Sequence, residues 1–162
     1  MGAERRGRGG AADAPLISDA EDGDVAELRE MFREYAGAIG EDFWRGGFED
    51  ELAALPGYYD VLLVARADRG ALVGSVAIKR LPDGSGELKR LYVRPTARGI
   101  GLGKTLAAAA VQRAHERGYA LLRLDTLPTM AAAQGIYASL GFQPAGRYSD
   151  NPPDVLFFEL QL

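Results

Sequence analysis

Apolar residues recur with a helical period soon after the chain begins. Val25, Leu28, Phe32, Tyr35 and Ile39 stand three or four positions apart, the spacing of one buried helical face. This predicts a helix over residues 24–39, with Ser18, Asp19 and Asp22 as candidate N-caps and Gly37 and Gly40 loosening its end. A short strand at Leu16 and Ile17 precedes it, and a shorter helix over 48–55 stops at Pro56-Gly57. The pattern then changes to continuous or alternating apolar runs. Residues 61–67, 71–79 and 87–93 read as strands, parted by the turns Asp68-Arg69-Gly70 and Leu81-Pro82-Asp83-Gly84-Ser85-Gly86. The third run alternates less cleanly, and Pro95 blocks its continuation. An alanine-rich helix over 104–117 follows, with Gly118 as its C-terminal stop. Then come a strand over 120–124, a helix over 130–140, a short strand from Phe142 and a last strand over 155–160. The order β-α-α-β-β-β-α-β-α-β-β predicts an α/β domain built on a mixed sheet with helices on both faces.

At 162 residues and 47% hydrophobic, the chain is long enough for one domain with a core that needs no covalent staples. The expected division is a flexible Gly/Arg/Ala tail over 1–14 and a single domain over 15–162. Its 19 Lys and Arg against 23 Asp and Glu give a net charge of −4, which argues against a nucleic-acid coat. Zero cysteines exclude a disulfide scaffold and thiolate catalysis, and a single histidine excludes a multi-histidine metal site. That histidine, His115, falls among Glu116 and Arg117 in a helix and reads as a solvated surface residue. The arginines of the first residues are followed by no apolar core, so neither a signal peptide nor a membrane span is expected, and the expected location is cytoplasmic.

The segment richest in chemistry is Arg98-Gly99-Ile100-Gly101-Leu102-Gly103-Lys104-Thr105, between a strand and a helix. Glycines there expose backbone N–H groups, and the new helix adds its positive end, which together suit an anion such as a pyrophosphate. Arg98 and Lys104 bracket it with fixed positive charge. A P-loop requires glycine where Arg98 stands, and a dinucleotide fingerprint requires G-x-G-x-x-G where Gly99, Gly101 and Gly103 give G-x-G-x-G. Both of those nucleotide sites lose on residue identity.

What remains is R-x-x-G-x-G, formed by Arg98, Gly101 and Gly103. With Leu91-Tyr92-Val93-Arg94-Pro95 before it and Ile136-Tyr137-Ala138-Ser139-Leu140-Gly141-Phe142 after it, this resembles the GNAT superfamily of acyl-CoA-dependent N-acyltransferases. The resemblance implies a mostly antiparallel sheet of six to seven strands, splayed between the fourth and fifth, and flanked by four helices. It implies acetyl-CoA as co-substrate and a primary amine as acceptor, with no metal. The backbone of Leu91, Tyr92 and Val93 would take the pantetheine arm, and the N–H groups of Arg98, Gly99, Ile100, Gly101, Leu102, Gly103 and Lys104 the pyrophosphate. Tyr137 matches the family's general acid, and a phenol with its ordinary pKa of about 10 is protonated at neutral pH.

For the base, Asp125 at the end of the fifth strand and Glu87 at the start of the fourth both remain open, as does a water chain. The chain departs from the family at Met130, where relatives often carry an asparagine that touches pantetheine; Thr129 is the expected cap of that helix instead. Phe43, Trp44, Tyr58 and Tyr59 read equally as acceptor-pocket or core aromatics, and Glu41 and Asp42 point to a cationic substrate. The run Tyr148-Ser149-Asp150-Asn151-Pro152-Pro153 is expected to cover the cleft. The acceptor class (small molecule or peptide) and the choice of monomer or homodimer stay open. A non-catalytic acyl-CoA sensor is the competing reading.

Overall fold

A computed structural model describes residues 14–40, 47–150 and 154–162. The expected tail, the aromatic and acidic loop with Glu41, Asp42, Phe43 and Trp44, and the Asn151-Pro152-Pro153 end of the covering loop lie outside the described residues. The strands are β1 (Leu16–Asp19), β2 (Val61–Arg66), β3 (Leu72–Arg80), β4 (Gly86–Val93), β5 (Leu121–Thr126), β6 (Gln143–Pro144) and β7 (Leu156–Gln161). The helices are α1 (Val25–Ile39), α2 (Phe48–Ala53), α3 (Leu102–Glu116) and α4 (Ala131–Ser139). Among the described residues, no helix is long and apolar enough to cross a membrane.

The seven strands form one sheet in the order β1-β2-β3-β4-β5-β7-β6. Every neighbouring pair is antiparallel except β4 and β5, which run parallel with α3 as the crossover between them. These two strands meet only at Gly86–Leu122 and Glu87–Arg123, after which they diverge into a fork. Gly86 makes that meeting possible, because a Cβ there would stand 2.7 Å from Leu122 Cδ2 and 3.0 Å from Ile78 Cγ2.

Both faces of the sheet are covered. On one, α1 buries Leu28, Met31 and Phe32 completely against Leu62, Val64 and Ala77, with Leu52 of α2 beside them. Each such side chain contributes about 1.5–3 kcal/mol of burial. On the other, Leu102, Leu106, Ala107, Ala110 and Ala114 line the inner side of α3, and the alanines let it lie close to β2, β3 and β4. This second layer continues past the fork through Leu122, Leu124, Tyr137 and Phe142. β2 is buried on both sides, which accounts for its uninterrupted apolar run.

The elements match the hydrophobic pattern, but several ends differ. α3 begins at Leu102 rather than Lys104, because Gly101 caps it in a left-handed conformation and Gly103 fits inside its first turn. Thr129 does not cap α4. Met130 occupies that position without a side-chain bond, and Gln134 Nε2 reaches back to donate to the carbonyls of Leu127 and Pro128, both at 3.1 Å. None of Ser18, Asp19 and Asp22 caps α1. The chain enters it through a single 3₁₀ turn over Asp22–Asp24, where Asp24 accepts from the Glu21 N–H at 2.8 Å.

Asp24 has a second role. Arg66 at the end of β2 donates to both its carboxylate oxygens, one at 2.6 Å, tying the start of α1 to the sheet. Those hydrogen bonds, with the Glu21 N–H helping and burial opposing, hold the Asp24 carboxyl below the usual carboxylate range. A depressed folded pKa gives stability that is present above the unfolded value, near 4, and lost as pH falls through the folded one. Asp24→Asn should therefore cost about 1–3 kcal/mol at pH 7, and much less near pH 2. Urea unfolding of both proteins at the two pH values measures the difference.

Candidate active site

The fork turns main-chain groups of β4 towards open space. The Arg94 N–H donates to the Val73 carbonyl at 2.8 Å, which makes Gly74 and Val93 a non-hydrogen-bonded pair across β3 and β4. The N–H and C=O of Val93 therefore point away from β3, and by alternation those of Leu91 do too. Tyr92 lies opposite Ser75, so its main-chain groups face β3, while its ring is buried against α1 beside Tyr35, centroids 5.3 Å apart. Arg98 Nε donates to the Val93 carbonyl at 2.9 Å.

A cleft of about 580 Å³ runs from this edge to the start of α3. Among the sequence-predicted residues it is lined by Leu91, Tyr92, Val93, Arg98, Gly99, Gly101, Leu102, Gly103 and Lys104. Ile100 does not line it and is 65% exposed. The glycines of the turn have separate reasons. Gly101, with φ 77° and open space around it, supplies the left-handed step that lets α3 begin with its N–H groups facing the cleft. Gly103 permits packing, because a Cβ there would meet Ile136 Cδ1 of α4 at 3.0 Å. The positive end of a four-turn helix, flanked by Arg98 and Lys104, suits the phosphates of an acyl-CoA.

A second cavity, about 200 Å³, adjoins the cleft deeper in the fork. Tyr35, Ile39, Leu91, Leu127 and Met130 line both. Met130 thus sits at the junction of the two. This inner cavity brings together Tyr137, Glu87 and Asp125, the three residues singled out for chemistry. Tyr137 is 6% exposed, packs edge-on against Phe142 at 5.7 Å, and has its phenol pushed well above the ordinary range, first by burial and then by Tyr35 and Asp125. Burial likewise pushes Tyr35 up to about 12. Of the aromatics that read equally as pocket or core, Tyr58 lines the cavity, whereas Tyr59 is buried in the core under α1 and α2. His115 is exposed, away from both cavities.

Two wall features escaped the sequence reading. Arg90 lies inside β4 with φ 58°, at the register shift opposite Ser75–Ala77, a bulge built on a residue that disfavours this conformation by about 1–2 kcal/mol. Its carbonyl accepts from Ser75 Oγ at 2.8 Å, and its guanidinium donates to buried Glu51 of α2 at 2.8 Å. Glu51 itself falls on the buried stripe of Phe48, Leu52 and Leu55, and a charge there is a readable sign of a partner. The uneven alternation of residues 87–93 was the trace left by the bulge. Tyr148, expected in the loop over the cleft, lines neither the cleft nor the inner cavity; its Oη donates to Glu87 Oε2 at 2.8 Å.

The sequence pattern of the acetyltransferase (GNAT) family matches residues 25–142. An uncharacterised N-acetyltransferase of Schizosaccharomyces pombe is 35% identical over 145 residues, covering 86% of this chain and 89% of that one. Among solved structures, a GNAT-family acetyltransferase of Staphylococcus aureus superposes with a TM-score of 0.78 at 20% identity, covering 91% of this chain and 99% of its own. A Salmonella typhimurium chain solved with its cofactor acetyl-CoA gives a TM-score of 0.73 at 22% identity, covering 92% and 94%.

Acetyl-CoA should raise the melting temperature, with a stabilisation of about 2.7 kcal/mol at a hundred times its Kd. ATP and NAD should do so far less. Gly101→Val should remove the acetyl-CoA response, because it strains the left-handed step and places a side chain against the cleft. Thermal-shift titrations of both proteins with all three nucleotides check this.

Proposed function

The chain belongs to the GNAT family of acetyltransferases, and on that premise we propose that it transfers the acetyl group of acetyl-CoA directly to a primary amine in the inner cavity. The observation that carries this reading is the junction at Leu91, Leu127 and Met130, where the cleft that begins at the α3 N-terminus opens into the cavity lined by Tyr137, Glu87 and Asp125. Two substrates entering from the two sides meet there, which suits one-step transfer, and with no cysteine in the chain a thioester relay is excluded.

Acetyl-CoA supplies an acetyl thioester. The main-chain groups of Leu91 and Val93 hold its arm as an added strand, and the N–H groups from Arg98 to Lys104 hold its phosphates. The amine nitrogen forms the new C–N bond as the C–S bond breaks. Three protons move. The acceptor ammonium gives one up to a carboxylate, Glu87 or Asp125, the departing sulfur gains one from Tyr137, and the second proton that the nitrogen sheds on becoming an amide returns to the Tyr137 oxygen. A phenol raised by burial stays protonated throughout the working range. It gives up its proton only as negative charge gathers on the sulfur beside it.

Glu51, Glu87 and Asp125 against Lys89 and Arg90 leave the described cavity wall one negative charge in excess, which favours a cationic amine over an anionic one.

Coenzyme A release with a panel of amines, polyamines, amino acids and peptides tests the reading. Tyr137→Phe should bind acetyl-CoA with nearly the same affinity and turn over about 10²–10⁴-fold more slowly, with equal losses in kcat and kcat/KM. Full activity in that variant would make the tyrosine a packing residue.

A further inference from the structure

Glu87 occupies an unusual place. It belongs to the last pair that joins β4 to β5, opposite Arg123, and it is 6% exposed. It lines the inner cavity on one side and, on the other, an outer cavity of about 390 Å³ bounded by Leu81, Asp83, Lys89, Arg123 and Tyr148. Glu87 therefore lines both compartments, as does Lys89.

Its orientation is fixed from two directions. Tyr148 Oη donates to Oε2 at 2.8 Å, and Lys89 Nζ stands 3.3 Å from Oε1. Tyr148 reaches in from the connection between β6 and β7, sixty-one residues further along the chain. Its ring is held edge-on against Phe157 at 5.2 Å, with the Arg123 guanidinium 5.5 Å from its centroid. Burial, and then the charge of Glu87, push the phenol far above its ordinary value, so it remains a donor at every working pH. A carboxylate has about four lone-pair positions, so two partners leave room to accept a proton.

We propose that Tyr148 is a positioning residue of the acetyl transfer: it holds the Glu87 carboxylate across the closed end of the fork, so that Glu87 takes the acceptor's proton from the inner cavity and releases it to the outer one. This rests on the reading that an amine enters the inner cavity. The N–H bond of the ammonium breaks, its electron pair stays on nitrogen, and the proton passes to Glu87 and then to water in the outer cavity. The path avoids the acetyl-CoA cleft altogether. It also distinguishes the two carboxylates, since Asp125 lines the inner cavity and not the outer one.

The charged and titratable groups around Glu87 are Lys89 on its own strand, Lys79 opposite it on β3, and Arg123 and Asp125 on β5. Asp83 of the β3–β4 turn, bonded to Arg123 at 3.0 Å, faces the outer cavity, and Arg90, Glu51, Tyr35, Tyr58 and Tyr137 face the inner one. Tyr148→Phe leaves all of them in place and keeps the ring on Phe157. It removes one donor to the carboxylate, and a carboxylate that loses a donor to its charged form holds a proton more readily.

The test is carbon-13 NMR titration of glutamate-labelled full-length protein, with Glu87→Gln assigning the resonance, beside pH–rate profiles of coenzyme A release. For the kinetics, the probe is the panel amine of highest turnover. In Tyr148→Phe, Glu87 should titrate about one to two pH units higher, the worth of a hydrogen bond to a charged group. The acid limb of kcat/KM should move the same way. An unmoved titration overturns the proposal, as does a moved titration with an unmoved limb. Glu87→Gln with a wild-type profile also overturns it, and leaves the acid role of Tyr137 standing if Tyr137→Phe is slow. Absence of coenzyme A release with every amine defeats the functional reading instead, while the titration still decides whether Tyr148 governs Glu87.

Discussion

Two parallel strands that pair at only two positions govern the rest of this molecule. β4 and β5 are joined by the α3 crossover and touch at Gly86–Leu122 and Glu87–Arg123, where a glycine allows the closest approach. Beyond that point the ladder is open, and main-chain groups that a sheet would normally pair are left for something else. The cleft follows that open edge, the helix start after β4 lies at its outer end, and the polar side chains collect at its inner end. Cleft and cavity are thus two stretches of one interruption in a sheet.

Charged pairs across long sequence distances hold the elements around that interruption. Arg66 fastens the entry of α1 through Asp24, and Arg90 fastens α2 through Glu51. The second pair is nearly dry, with side chains 10% and 3% exposed, so losing either partner strands a charge in a buried place. It also secures the one strained backbone position on the fork's edge. Ion pairs here set geometry more than they add stability.

Much of this was readable in the chain. Periodicity located the helices, and the Arg98–Lys104 turn with Tyr137 pointed to the chemistry and the fold. These signals are local, carried by residues within a few positions of one another. What escaped was of a different kind. The Arg90 bulge uses no glycine, so nothing in residue type announces it. Tyr35 reads as an ordinary member of an apolar stripe, yet it stands where both cavities meet. Tyr148 and Glu87 are brought together by the return of β7 onto β5, and no spacing rule connects them. Gln134 closing the start of α4 in place of Thr129 is a smaller case, a side chain reaching backwards where a cap was expected to reach forwards.

The two apolar layers differ in extent. Among the described residues, the cluster under α1 and α2 draws only on the half of the sheet that runs from β1 to β4. The cluster under α3 and α4 spans both halves. Mechanically the sheet is a book bound along one cover. Prying the fork apart meets a continuous close-packed layer on the α3 side, which resists compression and shear alike. The opposite side carries α1 and α2 on the first half alone. Resistance to opening therefore rests with α3 and α4, while α1 and α2, which wall part of the cleft and of the inner cavity, travel with the first half of the sheet.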